Sequence, residues 1–384
     1  MPFIILLCDA KTPCMKKSYL KTQYKVLILL VVGLFAVSCK KDPQVNPGIT
    51  NTNPANYATL GMYEQTSTGA RRIFIACSKL GDIVTANYGL VFDTGSTGMT
   101  IDATDILPAS MITTDGFQLS GDSMVVSGIT ITSQKAIISY GGVDGAISEY
   151  GNLAYAKVTI GDGHGNITTP RIPFFLYYKV VNLTTGKQLA AHSADVFGVG
   201  PGVSANSRSI GSPLSYFKLN SNITNGFRLA RLNSTNFLSA ATYTANLLYI
   251  GLTSADLNSS GFIMHPLGYN AISGYSPNIP STITYNGKTI SGTILFDTGT
   301  PLTHIIEDPS ATDNSVALPV NSTVSITTGQ GFSYQYITTS NSNLTQVENP
   351  AYTKDNRTVF SIDFFITNEY LLDYANHRIG LKNN

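Results

Sequence analysis

The chain has 384 residues, of which 12% are charged, and a formal net charge of +1. Without a basic surplus or a basic stripe it has nothing that attracts nucleic acid. The 34 Gly and 17 Pro scatter turn signals along its length, and no segment beyond the amino terminus reads as a long amphipathic helix. The composition therefore excludes a helical bundle and fits many short strands joined by polar turns.

Residues 1–38 read as a leader. Lys16, Lys17, Lys21 and Lys25 precede an apolar run from Val26 to Val37, and Ser38 and Cys39 follow. A charged start, a short apolar stretch and a small residue form the layout of an export signal, and the run is too short to span a bilayer. Leu34-Phe35-Ala36-Val37-Ser38-Cys39 resembles a bacterial lipobox, although Leu is the usual residue at the position of Ala36. The resemblance implies a lipid on Cys39, an anchor in the bacterial outer membrane, and a native start at Met15. Residues 39–57, with Pro43, Pro47, Gly48 and Pro54 among Asn and Thr, read as a flexible tether. Removing residues 1–38 leaves 19 basic against 22 acidic residues. It also leaves Cys77 as the one cysteine beyond Cys39, so the exported domain has no intramolecular disulfide. Cys77 ends the apolar stretch that starts at Ile73 and reads as a buried strand residue.

The most informative feature comes next. Val91-Phe92-Asp93-Thr94-Gly95-Ser96 recurs 204 positions later as Leu295-Phe296-Asp297-Thr298-Gly299-Thr300. In each copy two apolar strand formers lead into an Asp-Thr-Gly turn. Glycine lets the backbone and a ligand come close to the carboxylate. The hydroxyl of Ser96 or Thr300 can donate to the aspartate and favour its charged form. Two such carboxylates held together cannot both ionise readily, so they share one proton over a broad pH range. One is then a base and the other an acid, a pair able to deprotonate a water as it attacks a peptide carbonyl.

At these loops the chain resembles the pepsin-like aspartic proteases, and the resemblance continues over residues 60–384. Ile138-Ser139-Tyr140-Gly141-Gly142 and Val143-Asp144-Gly145-Ala146-Ile147 are similar to the family's flap hairpin. Ala194–Gly200 and Leu247–Gly251 resemble its apolar segments ending in Gly, and Asp363–Ile366 with Asp373–Leu381 resembles its closing hairpin. The resemblance implies an all-β, bilobal fold of two related β-barrel lobes about a central cleft, with lobes at 58–230 and 231–384. It implies Asp93 and Asp297 as the catalytic pair, with Ser96, Thr300, Thr94 and Thr298 supporting them. Gly95, Gly299 and Gly141 would contact an extended polypeptide substrate, and Tyr140 would close over it. Three departures stand out. The family's Trp behind the first loop is missing, leaving Tyr140 without its usual partner. Pro301 stands where the family has Ser, and Ser361 replaces a Gly at a place where a side chain would crowd Asp297.

Other candidates are weak. The histidines at 164, 192, 265, 304 and 377 show no ligand spacing, so no metal is predicted, and no cofactor. Gly161–Asn166 reads as a hairpin tip, and His304 could face the cleft or turn away from it. The expectation is a monomeric, lipid-anchored aspartic endopeptidase. The alternative is a pepsin-like binding or inhibitor protein of weak or no activity on the cell surface.

Overall fold

The computed structural model describes residues 57–67, 69–141, 146–203 and 210–383. The leader, the lipid site Cys39 and all of the expected tether except Tyr57 lie outside the described residues.

Alternation builds the sheet of the second half. Ile279–Tyr285, Thr323–Thr328 and Ser333–Ile337 each bury every second side chain, the period of a strand with one wet face. Asn286 and Gly287, both at positive φ, join Ile279–Tyr285 to Lys288–Phe296. A two-residue turn of that hand matches the twist of the strands it connects. Eight strands between Ile279 and Phe360 form this sheet.

A sixteen-stranded sheet takes in most of the other strands. At its middle Ala58–Ser67 lies between Thr242–Leu252 and Ala70–Leu80. The last hairpin, Asn368–Asp373 with Arg378–Asn383, joins it through Thr224–Leu229. Every residue of Asn368–Asp373 is buried, and its acids are paired: Glu369 with Arg228 and Lys382, Asp373 with Arg378. Asp363–Ile366, expected as an arm of this hairpin, is instead the start of the short helix Phe364–Thr367 leading into it. Its backbone bonds close locally, with the Phe365 N–H donating to the Ile362 carbonyl and the Ile366 N–H to that of Asp363, and Phe364 and Phe365 are both fully buried. Gly161–Asn166 is a hairpin tip as read, between Val158–Asp162 and Gly165–Thr168, and Cys77 is a buried strand residue.

One motif, used twice, positions the two aspartate loops. In the first half Ile83–Asp93 runs parallel to Val196–Val199, which is antiparallel to Thr97–Asp102. In the second, Lys288–Phe296 runs parallel to Arg357–Phe360, which is antiparallel to His304–Glu307. The Phe before each aspartate anchors its strand end in the core. Phe92 packs on Phe197 and Phe227, and Phe296 on Phe360 and Phe364. Neither can move without opening a cavity, so the aspartates that follow are carried on fixed ends.

Candidate active site

Both loops turn back on themselves in the same way. The Gly95 N–H donates to Asp93 Oδ1 at 2.7 Å, and the Ser96 hydroxyl to Oδ2 at 2.6 Å. The Gly299 N–H donates to Asp297 Oδ1 at 2.7 Å, and the Thr300 hydroxyl to Oδ2 at 2.6 Å. Each carboxyl is thus fixed in rotation by backbone and hydroxyl donors, with the Ser96 N–H adding a second backbone bond to Asp93 Oδ1 at 3.1 Å.

The threonines lock the two loops together. The Thr94 N–H donates to Thr298 Oγ1 and the Thr298 N–H to Thr94 Oγ1, each at 3.0 Å. Their hydroxyls in turn donate to opposite strand ends, Thr94 to the Phe296 carbonyl and Thr298 to that of Phe92, each at 2.7 Å. Both threonines are fully buried. Four crossed bonds out of reach of water make this junction intolerant of slippage.

The lock brings the carboxyls into contact. A Cβ on Gly95 would lie 2.5 Å from Asp297 Cγ, and one on Gly299 would lie 2.6 Å from Asp93 Cγ. Only glycine leaves room for each carboxyl over the opposite loop. Two carboxyls seated this closely can hydrogen-bond to each other only with a proton between them. Burial, and after it the Asp297 charge, pushes Asp93 up to about 8, against the downward pull of Ser96 and Gly95. Burial outweighs the hydroxyl here because Asp93 is nearly enclosed, only 8% exposed. The structure therefore brings Asp93, Asp297, Ser96, Thr300, Thr94, Thr298, Gly95 and Gly299 to one place.

No protein-family model matches the sequence, and no curated protein matches it. Among solved structures the chain is similar to the aspartic proteinase from Irpex lacteus, with 17% identity, a TM-score of 0.56, and coverage of 85% of this chain and 97% of that one. It is also similar to Basic 7S globulin from soybean, with 12% identity, a TM-score of 0.53, and coverage of 86% and 96%. The fold is that of the pepsin-like aspartic proteinases.

Within that fold the expected flap is present as Ile129–Tyr140 paired with Ile147–Ala156, from Thr130↔Tyr155 to Tyr140↔Ile147. Gly141 follows at positive φ, and residues 142–145 of the expected tip lie outside the described residues. Tyr140 is not left without a partner by the missing Trp. Its phenol lies within reach of Thr100, the residue seven positions after Asp93. Thr100 also donates to Glu149 Oε1 at 3.2 Å. Burial keeps the Glu149 carboxyl well above the usual carboxylate range, so a neutral acid and a hydroxyl fill the space behind the flap. Sequence reasoning missed both residues, since neither belongs to a motif.

Ser361 does not crowd Asp297. In the first half a side chain at the matching Gly198 would lie 2.8 Å from the Ser96 hydroxyl, because Thr97–Asp102 starts straight after the loop. In the second half the strand starts only at His304, and the Ser361 side chain turns toward residues 302 and 304. The Ser361 hydroxyl donates to the Leu302 carbonyl at 3.3 Å and lies 3.1 Å from His304 Nδ1. His304 is buried away from solvent, and its Nδ1 accepts the Ser361 N–H at 2.9 Å. Burial pushes it down to about 4, so it stays neutral and supports Ser361. Pro301 has a use as well, since its carbonyl accepts the Arg71 N–H at 2.8 Å. Arg71 adds an ion pair to Asp363, and Arg72 donates to the Gly299 carbonyl. The start of Ala70–Leu80 thus clamps the second loop, a contact no local sequence signal announces.

Proposed function

We propose that the chain is an aspartic endopeptidase that hydrolyses extended polypeptides through the Asp93–Asp297 pair. The observation that carries this reading is the mutual seating of each carboxyl against the opposite loop's glycine, close enough for the pair to hold one proton in common. A water bridging the two outer faces gives its proton to the ionised carboxylate as its oxygen attacks the peptide carbonyl. The protonated partner donates to the developing oxyanion, and that proton then passes to the departing amine. The substrate lies as an added strand under Tyr140, with Gly95 and Gly141 supplying backbone contacts. The test is incubation of the purified chain with an unfolded protein from pH 3 to 8, with and without pepstatin. Pepstatin-sensitive fragments are expected, and an intact substrate at every pH refutes the reading.

The glycines give a sharper check. Gly95→Ala pushes a methyl into the Asp297 carboxyl, and kcat/KM should fall at least about a hundredfold for a displacement near 1 Å. Unfolding curves on the same samples should show that the variant is folded.

A second reading is favoured by the likeness to Basic 7S globulin, a protein whose name declares no protease. It keeps the cleft as a binding surface and predicts peptide binding without cleavage. In either case the amino-terminal pattern supports tethering to the outer membrane through a lipid on Cys39. Labelled palmitate should enter the wild-type chain and not Cys39→Ser, and equal labelling of both refutes the anchor.

A further inference from the structure

Arg72 carries a charge that no acidic side chain among the described residues pairs with. It is half-buried at the start of Ala70–Leu80 and donates through Nη1 to the Gly299 carbonyl. Arg71, Arg228, Arg357 and Arg378 each form an ion pair, with Asp363, Glu369, Asp355 and Asp373. Among the described residues Arg72 forms none. Asp93 and Asp297 act on it through space, and burial outweighs them, so that its pKa is lowered. A guanidinium has five N–H donors in a planar fork, and a single carbonyl engages few of them. Such a group is suited to two parallel bonds with a carboxylate, and the side-chain hydrogen bond it makes is to the second aspartate loop.

Resting on the peptide-cleft reading above, we propose that Arg72 selects peptides carrying a carboxylate beside the scissile bond. The carboxylate pairs with the fork and draws it off Gly299, which frees that carbonyl for a main-chain N–H of the bound strand. One event thus recognises the side group and opens a backbone acceptor. The carboxylate comes from an Asp or Glu side chain or from the peptide's own carboxyl terminus.

The test uses the full chain and fluorescent peptides whose central bond is reduced to an uncleavable amine. One series places Glu or Gln at each of the three positions on either side of that bond. A second pair ends there in a free acid or in a carboxamide. Binding is read by anisotropy. At one position Glu should bind about tenfold or more tighter than Gln, the range for a bond to a charged group. A preference confined to the free-acid pair assigns the carboxylate to a chain terminus instead. The preference should vanish in Arg72→Gln, persist in part in Arg72→Lys, and pass to Lys-containing peptides in Arg72→Glu. Equal binding of charged and neutral peptides overturns the inference. So does binding of neither, or an Arg72→Gln variant that weakens all peptides alike and so marks Arg72 as a support for the loop. Glu preference without cleavage of the normal peptide refutes only the proteolytic reading. Cleavage without Glu preference refutes only the role of Arg72.

Discussion

Asp93→Asn and Asp297→Asn should each lower kcat/KM for peptide cleavage at least about a thousandfold, the size expected when a positioned acid or base is lost. Each amide keeps the shape of the carboxyl and the backbone bond to its oxygen, while its NH2 donates to the hydroxyl that donated to the carboxylate, so the loss should fall on turnover while the chain stays folded. Asp93→Asn should also stabilise the fold, and the sign follows from the direction of its shift. Asp93 lies above its unfolded value in the native state, so ionising it works against folding. That penalty is absent below about pH 4, grows as pH rises, and is complete above about pH 8. The Tm advantage of Asp93→Asn over wild type should therefore widen from pH 4 to pH 8. A constant offset contradicts the enclosed, proton-sharing pair, and retained cleavage contradicts the mechanism.

Thr94→Val should be the most destabilising exchange of a single small side chain near the site. It keeps the volume but leaves the Phe296 carbonyl and the Thr298 N–H without their partner. Each buried orphan costs about 1–3 kcal/mol, so the total should reach about 2–6 kcal/mol in urea unfolding. Thr94→Ser, which restores the hydroxyl, should recover most of that loss and most of the activity. Thr298→Val should behave alike through the Phe92 carbonyl and the Thr94 N–H. If Thr94→Val unfolds at the wild-type urea concentration, the crossed bonds are not what holds the loops together.

What the sequence revealed of this site is what sits in short windows. Asp-Thr-Gly is local chemistry, and its repetition at a distance of 204 residues exposed the pair without any knowledge of the packing. The two-halved, all-strand architecture followed from the resemblance. What escaped depends on residues far apart along the chain. Arg72 acquires meaning only by reaching Gly299, 227 positions away. The lack of Trp read as a loss for Tyr140, because nothing in the sequence places Thr100 and Glu149 behind the flap. Ser361 read as an obstruction because nothing in the sequence places Leu302 and His304 as partners for its hydroxyl. Phe364 and Phe365 fitted a strand by composition, and only the local backbone bonds of that turn reveal a helix.

The proton between the carboxyls is best observed directly, by ¹³C NMR of the chain labelled in its aspartate carboxyls, which leaves the raised Glu149 and Glu307 silent. One aspartate pair should titrate in two linked steps, the upper near pH 8, and that upper step should vanish in Asp93→Asn. If every aspartate carboxyl has lost its proton by about pH 5, the two loops do not share one, and the account of the site fails.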